Sequence, residues 1–180
     1  NSGASANLLA MAVATNYRHR IGEKGLNPGD KILIPAICCP TSVWTIVQMN
    51  LVPVFVDVDA NTLNINLDDM EKKISLIEGI RGVVAVHTLG NCTNMERFME
   101  IINKHKLFLI EDTGGILGSK YNNKFLGTFG DLGIYKFCYS LHNSNVEYGM
   151  VVCNDENDYE LCKCLREEGM TKSLKDKENI

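Results

Sequence analysis

The sequence predicts an α/β domain with a mainly parallel sheet covered by helices on both faces. Two features carry the prediction. Short apolar runs rich in Val, Ile and Leu recur along the chain, and between them lie longer stretches with apolar residues at helical spacing. Composition agrees: 180 residues, 45% hydrophobic and 22% charged, describe an ordinary globule and exclude collagen-like, low-complexity and disordered chains.

Taken in order, residues 6–20 form a first helix through Leu8, Leu9, Met11, Ala12 and Val13, with capping hydroxyls supplied by Ser2 and Ser5 and a start near Ser5. Asn27-Pro28-Gly29-Asp30 is turn chemistry, and Lys31-Ile32-Leu33-Ile34-Pro35 after it is a buried strand. Pro40-Thr41-Ser42 opens a helix through Trp44, Ile46, Val47 and Met49, and residues 52–57 form the next strand. Residues 67–77 make a helix with Asp68, Asp69 and Glu71 near its positive end. Residues 82–87 are a strand, 93–105 an amphipathic helix, and 107–110 a strand followed by the acidic pair Glu111-Asp112. After a glycine-rich stretch over 114–133 come strands at 134–139 and 149–153 and a helix at 159–168. The charged residues 172–179 read as a solvated tail or linker stub.

A net charge of −4 with scattered basic residues argues against a nucleic-acid partner, which demands clustered Lys and Arg. No apolar run is long enough to span a bilayer, and the chain does not open on a basic stretch with an apolar signal core; no membrane partner and a cytoplasmic location are the expectation. The seven cysteines are odd in number and lack C-x-x-C spacing, so most are read as small apolar fillers and no metal site is expected. Cys162 and Cys164 fall on a helix, the wrong arrangement for an iron–sulfur loop. Asn91-Cys92-Thr93 matches a glycosylation acceptor without a secretion signal to give it meaning. The chain begins at Asn1, within a loop entering a helix, and reads as a piece of something longer.

In sheets of this class ligands bind beyond the carboxyl ends of the strands. Residues 35–37, Asp57, His87, Asp112 and the segment after Tyr139 are therefore expected to converge. Gly3-Ala4-Ser5 at a helix start offers unpaired N–H groups to an anion, or is simply a capped helix. Asp112 ends an apolar strand, where an ionised carboxylate needs either a cationic partner, such as a protonated ring nitrogen, or backbone donors. His87 is either a satisfied rim residue or a catalyst. Gly127-Thr128-Phe129-Gly130-Asp131-Leu132-Gly133 lacks the Lys-Ser/Thr ending of a P-loop and reads as tight turns, and no G-x-G-x-x-G joins a first strand to a helix, which disfavours a dinucleotide site. His142 sits in a polar loop, His142-Asn143-Ser144-Asn145, as an exposed turn or a proton carrier.

The strings NSGASANLLA from Asn1, VPVFVDVDANTLNI from Val52, VHTLGN from Val86, LFLIEDTGGILGSKY from Leu107 and GTFGDLG from Gly127 together resemble the DegT/StrS family of sugar-modifying enzymes, with the opening string similar to its nucleotide-hexose 3-dehydratase branch. The resemblance spans essentially the whole chain. It implies a fold-type-I scaffold using pyridoxal phosphate (PLP) or its amino form, bound non-covalently, and a homodimer. The implied activity is transamination or C3 dehydration of a nucleotide-linked 4-keto-hexose, in deoxy- or amino-sugar and surface-polysaccharide biosynthesis. It makes residues 1–170 an incomplete PLP-binding large domain lacking the small C-terminal domain, with 171–180 as tail. By the same resemblance Gly3 and Ala4 cradle the cofactor phosphate and Asp112 pairs with the pyridinium nitrogen.

Four positions depart from the family pattern. Leu141 aligns with the Lys or His that forms the Schiff base or carries protons, leaving His142, one residue along, as the local proton carrier. Cys39 replaces a stacking aromatic ring, Gly115 a Gln or Glu, and Lys136 a Ser that donates to the phosphate, although a lysine ammonium suits the same anion. These departures keep a second reading open, a catalytically inactive homologue or fragment that retains the scaffold.

Overall fold

Residues 1–16, 25–138 and 146–167 are described in a computed structural model of the chain. Its elements are α1 (Gly3–Ala14), β1 (Lys31–Pro35), α2 (Pro40–Gln48), β2 (Val52–Val56), α3 (Leu67–Leu76), β3 (Ile80–Val86), α4 (Met95–Lys104), β4 (Phe108–Asp112), β5 (Lys120–Tyr121), β6 (Lys124–Phe125), β7 (Leu132–Phe137), β8 (Tyr148–Cys153) and α5 (Glu156–Arg166). Six strands form one sheet in the order β2-β1-β3-β4-β7-β8, parallel throughout except for β8, which runs antiparallel to β7. The α/β class expected from sequence is the fold observed.

Strand periodicity sorts side chains between two cores. Ile32, Ile34, Val84, Phe108 and Ile110 pack under α1, α2 and α5. Leu33, Val83, Ala85 and Leu109, the alternate positions, pack under α3 and α4 with Met70, Phe98 and Ile101. The first face is built for close approach. Helix α1 buries Gly3, Ala6, Ala10 and Ala14, small residues that let its axis settle onto β7 and β8. Gly149 of β8 shows how close: a Cβ there would collide with the Ser2 carbonyl and lie 2.8 Å from the Ala6 Cβ. Gly149→Ala is therefore expected to lower stability by about 1–3 kcal/mol through overpacking, read as a lower midpoint in thermal and urea melts; an unchanged midpoint would mean that α1 does not rest on β8.

Several element ends differ from the sequence reading, each for a local reason. Helix α1 starts at Gly3 rather than Ser5 because the Ser2 side chain accepts from Ser5 N. Its last residue is Ala14: the Thr15 N–H still reaches the Met11 carbonyl, but the Asn16 N–H turns to the Val13 carbonyl in a tighter 3₁₀-type bond, and residues 17–20 of the expected helix lie outside the described residues. Strand β4 runs two residues further than expected, because Glu111 and Asp112 continue the ladder with Ala85 and Val86 on one side and Gly133 and Ile134 on the other. Helix α5 starts at Glu156, capped by Asp155, whose carboxylate accepts from Asn157 N and Asp158 N. Within the glycine-rich stretch the chain makes a small β5–β6 hairpin that the glycine count concealed. Its turn is Asn122-Asn123, both at positive φ as a two-residue hairpin loop requires.

No helix among the described residues is long and apolar enough to cross a membrane. Of the cysteines taken as fillers, Cys138, Cys162 and Cys164 are buried, Cys38, Cys92 and Cys153 are half-buried, and Cys39 is exposed.

Candidate functional site

The cleft lies where the strand ends predict it, beyond β3, β4 and β7 and against the start of α1. It holds about 410 Å³, and its lining includes Gly3, Ala4, Asn7, Ile37, Cys39, His87, Thr88, Asp112, Gly114, Gly115, Ile134, Lys136 and Glu147. Gly3, Ala4, Asp112 and Lys136, four of the five residues singled out from sequence, thus share one cleft. The fifth, His142, lies outside the described residues, as does Leu141. Of the convergence set, Ile37, His87 and Asp112 meet here. Asp57 does not: it follows the edge strand β2, where its N–H donates to Asp69 and its carbonyl accepts from Asn66 N, so it serves to seat the start of α3.

Glu111 and Asp112 are neighbours in sequence and opposites in space, because successive strand residues face opposite sides of the sheet. Asp112 points to the α1 face and is 7% exposed. Its Oδ2 accepts from Ser42 Oγ at 2.6 Å and Asn7 Nδ2 at 3.5 Å, and its Oδ1 from Gly114 N at 2.9 Å. Three elements thereby fix the carboxylate. Neither Ser42 nor Asn7 stands out in sequence, since each is an ordinary polar residue within a helix that only tertiary packing brings to Asp112.

Glu111 faces the other core and is fully buried. Its carboxylate accepts from His87 Nε2 at 2.9 Å, Gly127 N at 2.9 Å, and Phe129 N and Gly130 N at 2.6 and 2.8 Å. Burial pushes its pKa up, but the His87 pair and the backbone donors more than offset this and hold the group below its usual range. His87 is therefore a bonded rim residue that braces the glycine-rich run against β3. The run is glycine-rich because the packing leaves no room for side chains: a Cβ on Gly127 would lie 2.8 Å from Tyr135 Oη, and one on Gly133 would overlap the Gly127 carbonyl.

At the anion end, the first N–H groups of α1 lie beyond the reach of intrahelical acceptors and carry the positive end of the dipole. Lys136 lies directly over this point; a Cβ on Gly3 would sit 2.8 Å from its Cγ and Cδ. Asn7, one turn into α1, bonds both the Gly3 carbonyl and Asp112. Asn7 thus links the first turn of α1 to the carboxylate, so the helix start and Asp112 face the same cleft. Thr88 Oγ1, on the same wall, is buried with no hydrogen-bond partner among the described residues. The donor set, anion-binding at one end and carboxylate at the other, fits PLP. The Cys38 thiol beside it is pushed up by burial and then by Asp112, which keeps it neutral and a poor nucleophile.

The sequence profile of the DegT/DnrJ/EryC1/StrS aminotransferase family matches residues 1–180. The chain belongs to this family. Among DegT/DnrJ/EryC1/StrS relatives, GDP-4-keto-6-deoxy-D-mannose 3-dehydratase of Escherichia coli O55:H7 is 33% identical over the whole chain and 45% of its own length. The dTDP-4-dehydro-2,6-dideoxy-D-glucose 3-dehydratase of Saccharopolyspora spinosa is 38% identical over 94% of the chain and 36% of its own length. The E. coli GDP-4-keto-6-deoxy-D-mannose-3-dehydratase with bound hydrated PLP superposes with a TM-score of 0.85 at 34% identity, covering 96% of this chain and 43% of that one. The chain therefore spans less than half the length of these relatives.

Proposed function

We propose that this chain is the cofactor-binding part of a PLP-dependent enzyme acting on a nucleotide-linked 4-keto-hexose, by C3 dehydration or transamination, in deoxy- or amino-sugar biosynthesis. The observation that carries the reading is the meeting of the α1 N-terminus, Lys136 and Asp112 in one cleft. Gly3, Ala4 and Lys136 hold the phosphate, and Asp112, oriented by Ser42, Asn7 and Gly114, holds a proton on the ring nitrogen. PLP, when bound, supplies an electron sink for the carbon that loses its proton. Residues 1–170 serve as the large domain of a homodimer, with the remaining length of its relatives completing the site. His142 is the proton carrier in this reading.

Leu141 favours a second reading, a catalytically inactive homologue or fragment that retains only the scaffold, because leucine can neither form an imine nor carry a proton. Absorbance titration of the purified chain with PLP and with its amino form separates the two; no spectral change with either ligand would sink the enzyme reading. Lys136→Ala is expected to weaken PLP about 10-fold, the loss of one charge-assisted contact, and to leave pyridoxal, which lacks the phosphate, unaffected. Equal loss for both ligands would take Lys136 out of the phosphate site.

A further inference from the structure

Cys153 ends β8, and Cys162 lies about two turns into α5, the helix that packs back on that strand. Their sulfurs are 3.6 Å apart. Both are carried by regular elements, so the approach is set by the strand–helix packing. Cys162 also forms part of the wall of a groove of about 660 Å³ between α1, β8 and α5, beside Met150, Val151 and Tyr159. Cys153 is half-buried. A hydrogen bond joins the two sulfurs, which lowers the Cys153 thiol from its ordinary range, while the same bond and burial raise that of Cys162. The 3.6 Å approach places a second thiol in contact with the sulfur that is oxidised first, the arrangement that favours a disulfide over progression to higher oxides.

We propose that Cys153 and Cys162 are an oxidative modification site, converted by a small peroxide to a disulfide that staples β8 to α5. The Cys153 thiolate attacks one peroxide oxygen and the O–O bond breaks; with one proton taken up this gives a sulfenic acid and water. The Cys162 sulfur then attacks the sulfenic sulfur, the S–O bond breaks, and its proton leaves with the hydroxyl as a second water. Two electrons pass from the sulfur pair to one peroxide. A disulfide needs an S–S distance near 2.05 Å, so side-chain rotation must close only about 1.5 Å.

The test treats the 180-residue chain with hydrogen peroxide, alkylates the remaining thiols, and maps peptides after cleavage before Asp155 and Asp158, which separates the two cysteines. Native chain is expected to give the Cys153–Cys162 linked peptide, two hydrogens lighter than its parts. The linkage is expected to form at least about 10-fold faster in the folded chain than in guanidinium, because the fold holds the sulfurs together. In C162S the sulfenic acid on Cys153 has no partner and is expected to be trapped by dimedone. Linkage at equal rates in folded and unfolded chain, pairing of Cys153 with another cysteine, or oxidation of exposed Cys39 while Cys153 and Cys162 both remain alkylatable would each overturn the proposal. The wild-type rate comparison stands even where a variant fails to fold.

Discussion

Replacing Glu111 with Ala is expected to destabilise the fold by about 3–5 kcal/mol, because the buried N–H groups that its carboxylate accepts from lose their partner at about 1–3 kcal/mol each. For a domain of this size that corresponds to a fall in melting temperature of roughly 6–20 °C. The size of the effect comes from what the carboxylate holds: His87, just past the end of β3, and three N–H groups of the 127–130 segment, all left without this partner in the variant. Glu111→Gln keeps an acceptor oxygen but sets an amide N–H₂ against backbone donors, and is expected to fall between the two. Acid should reproduce the loss. The pKa of Glu111 is depressed in the folded state from its model-compound value of 4.5, so its contribution is complete above that pH and is lost as pH falls below it toward the native value. Urea melts from pH 7 to pH 3 check both claims: wild type should lose stability over the acid limb more steeply than Glu111→Ala. Coincident slopes, or a melting temperature within 2 °C of wild type, would show that Glu111 does not anchor the loop.

Asp112→Asn should act on binding. The substitution preserves shape and leaves an oxygen for Ser42, yet removes the charge that keeps a ring nitrogen protonated. Loss of a charge-assisted hydrogen bond of about 1.5–3 kcal/mol predicts PLP binding weaker by roughly 10- to 100-fold. The spectral titration that measures wild type measures this, and far-UV circular dichroism guards against a folding defect. Unlike Lys136→Ala, this variant should weaken PLP and pyridoxal alike, because it acts on the ring and not on the phosphate. Unchanged affinity would leave Asp112 as a structural carboxylate serving Ser42, Asn7 and Gly114.

The contrast between these two acids marks what was legible in the sequence. Order and type of the main elements could be read because the strands are continuous apolar runs and the helices keep a 3.6-residue period. Asp112 was legible as a strand-end carboxylate, and the family resemblance gave Gly3 and Ala4 their place. Glu111 was named only as half of an acidic pair, although the period-two alternation of Phe108, Leu109 and Ile110 already turns it to the opposite face. What that face contains, His87 and the glycine run, comes from elements more than twenty and about sixteen residues away, and no local pattern reports contacts of that kind. Ser42 and Asn7 were hidden for the same reason. Asp57 was wrongly grouped with the site because its position at a strand end is necessary for convergence and not sufficient. The sheet order places β2 at an edge, three strands from β4.

The reversal of β8 has a consequence for how such a scaffold changes over time. In a wholly parallel sheet, a connection leaving the ligand edge must travel back across the fold before its next strand begins, so its length and composition are tied to packing. Here the six pairs from Leu132–Cys153 to Phe137–Tyr148 join β7 and β8 as antiparallel neighbours, so their register is set by the ladder itself and not by a helix crossing the sheet. Lys136 sits in that ladder opposite Gly149 and also lines the cleft. A change of its side chain can therefore alter what the cleft holds while the backbone pairs of the ladder persist.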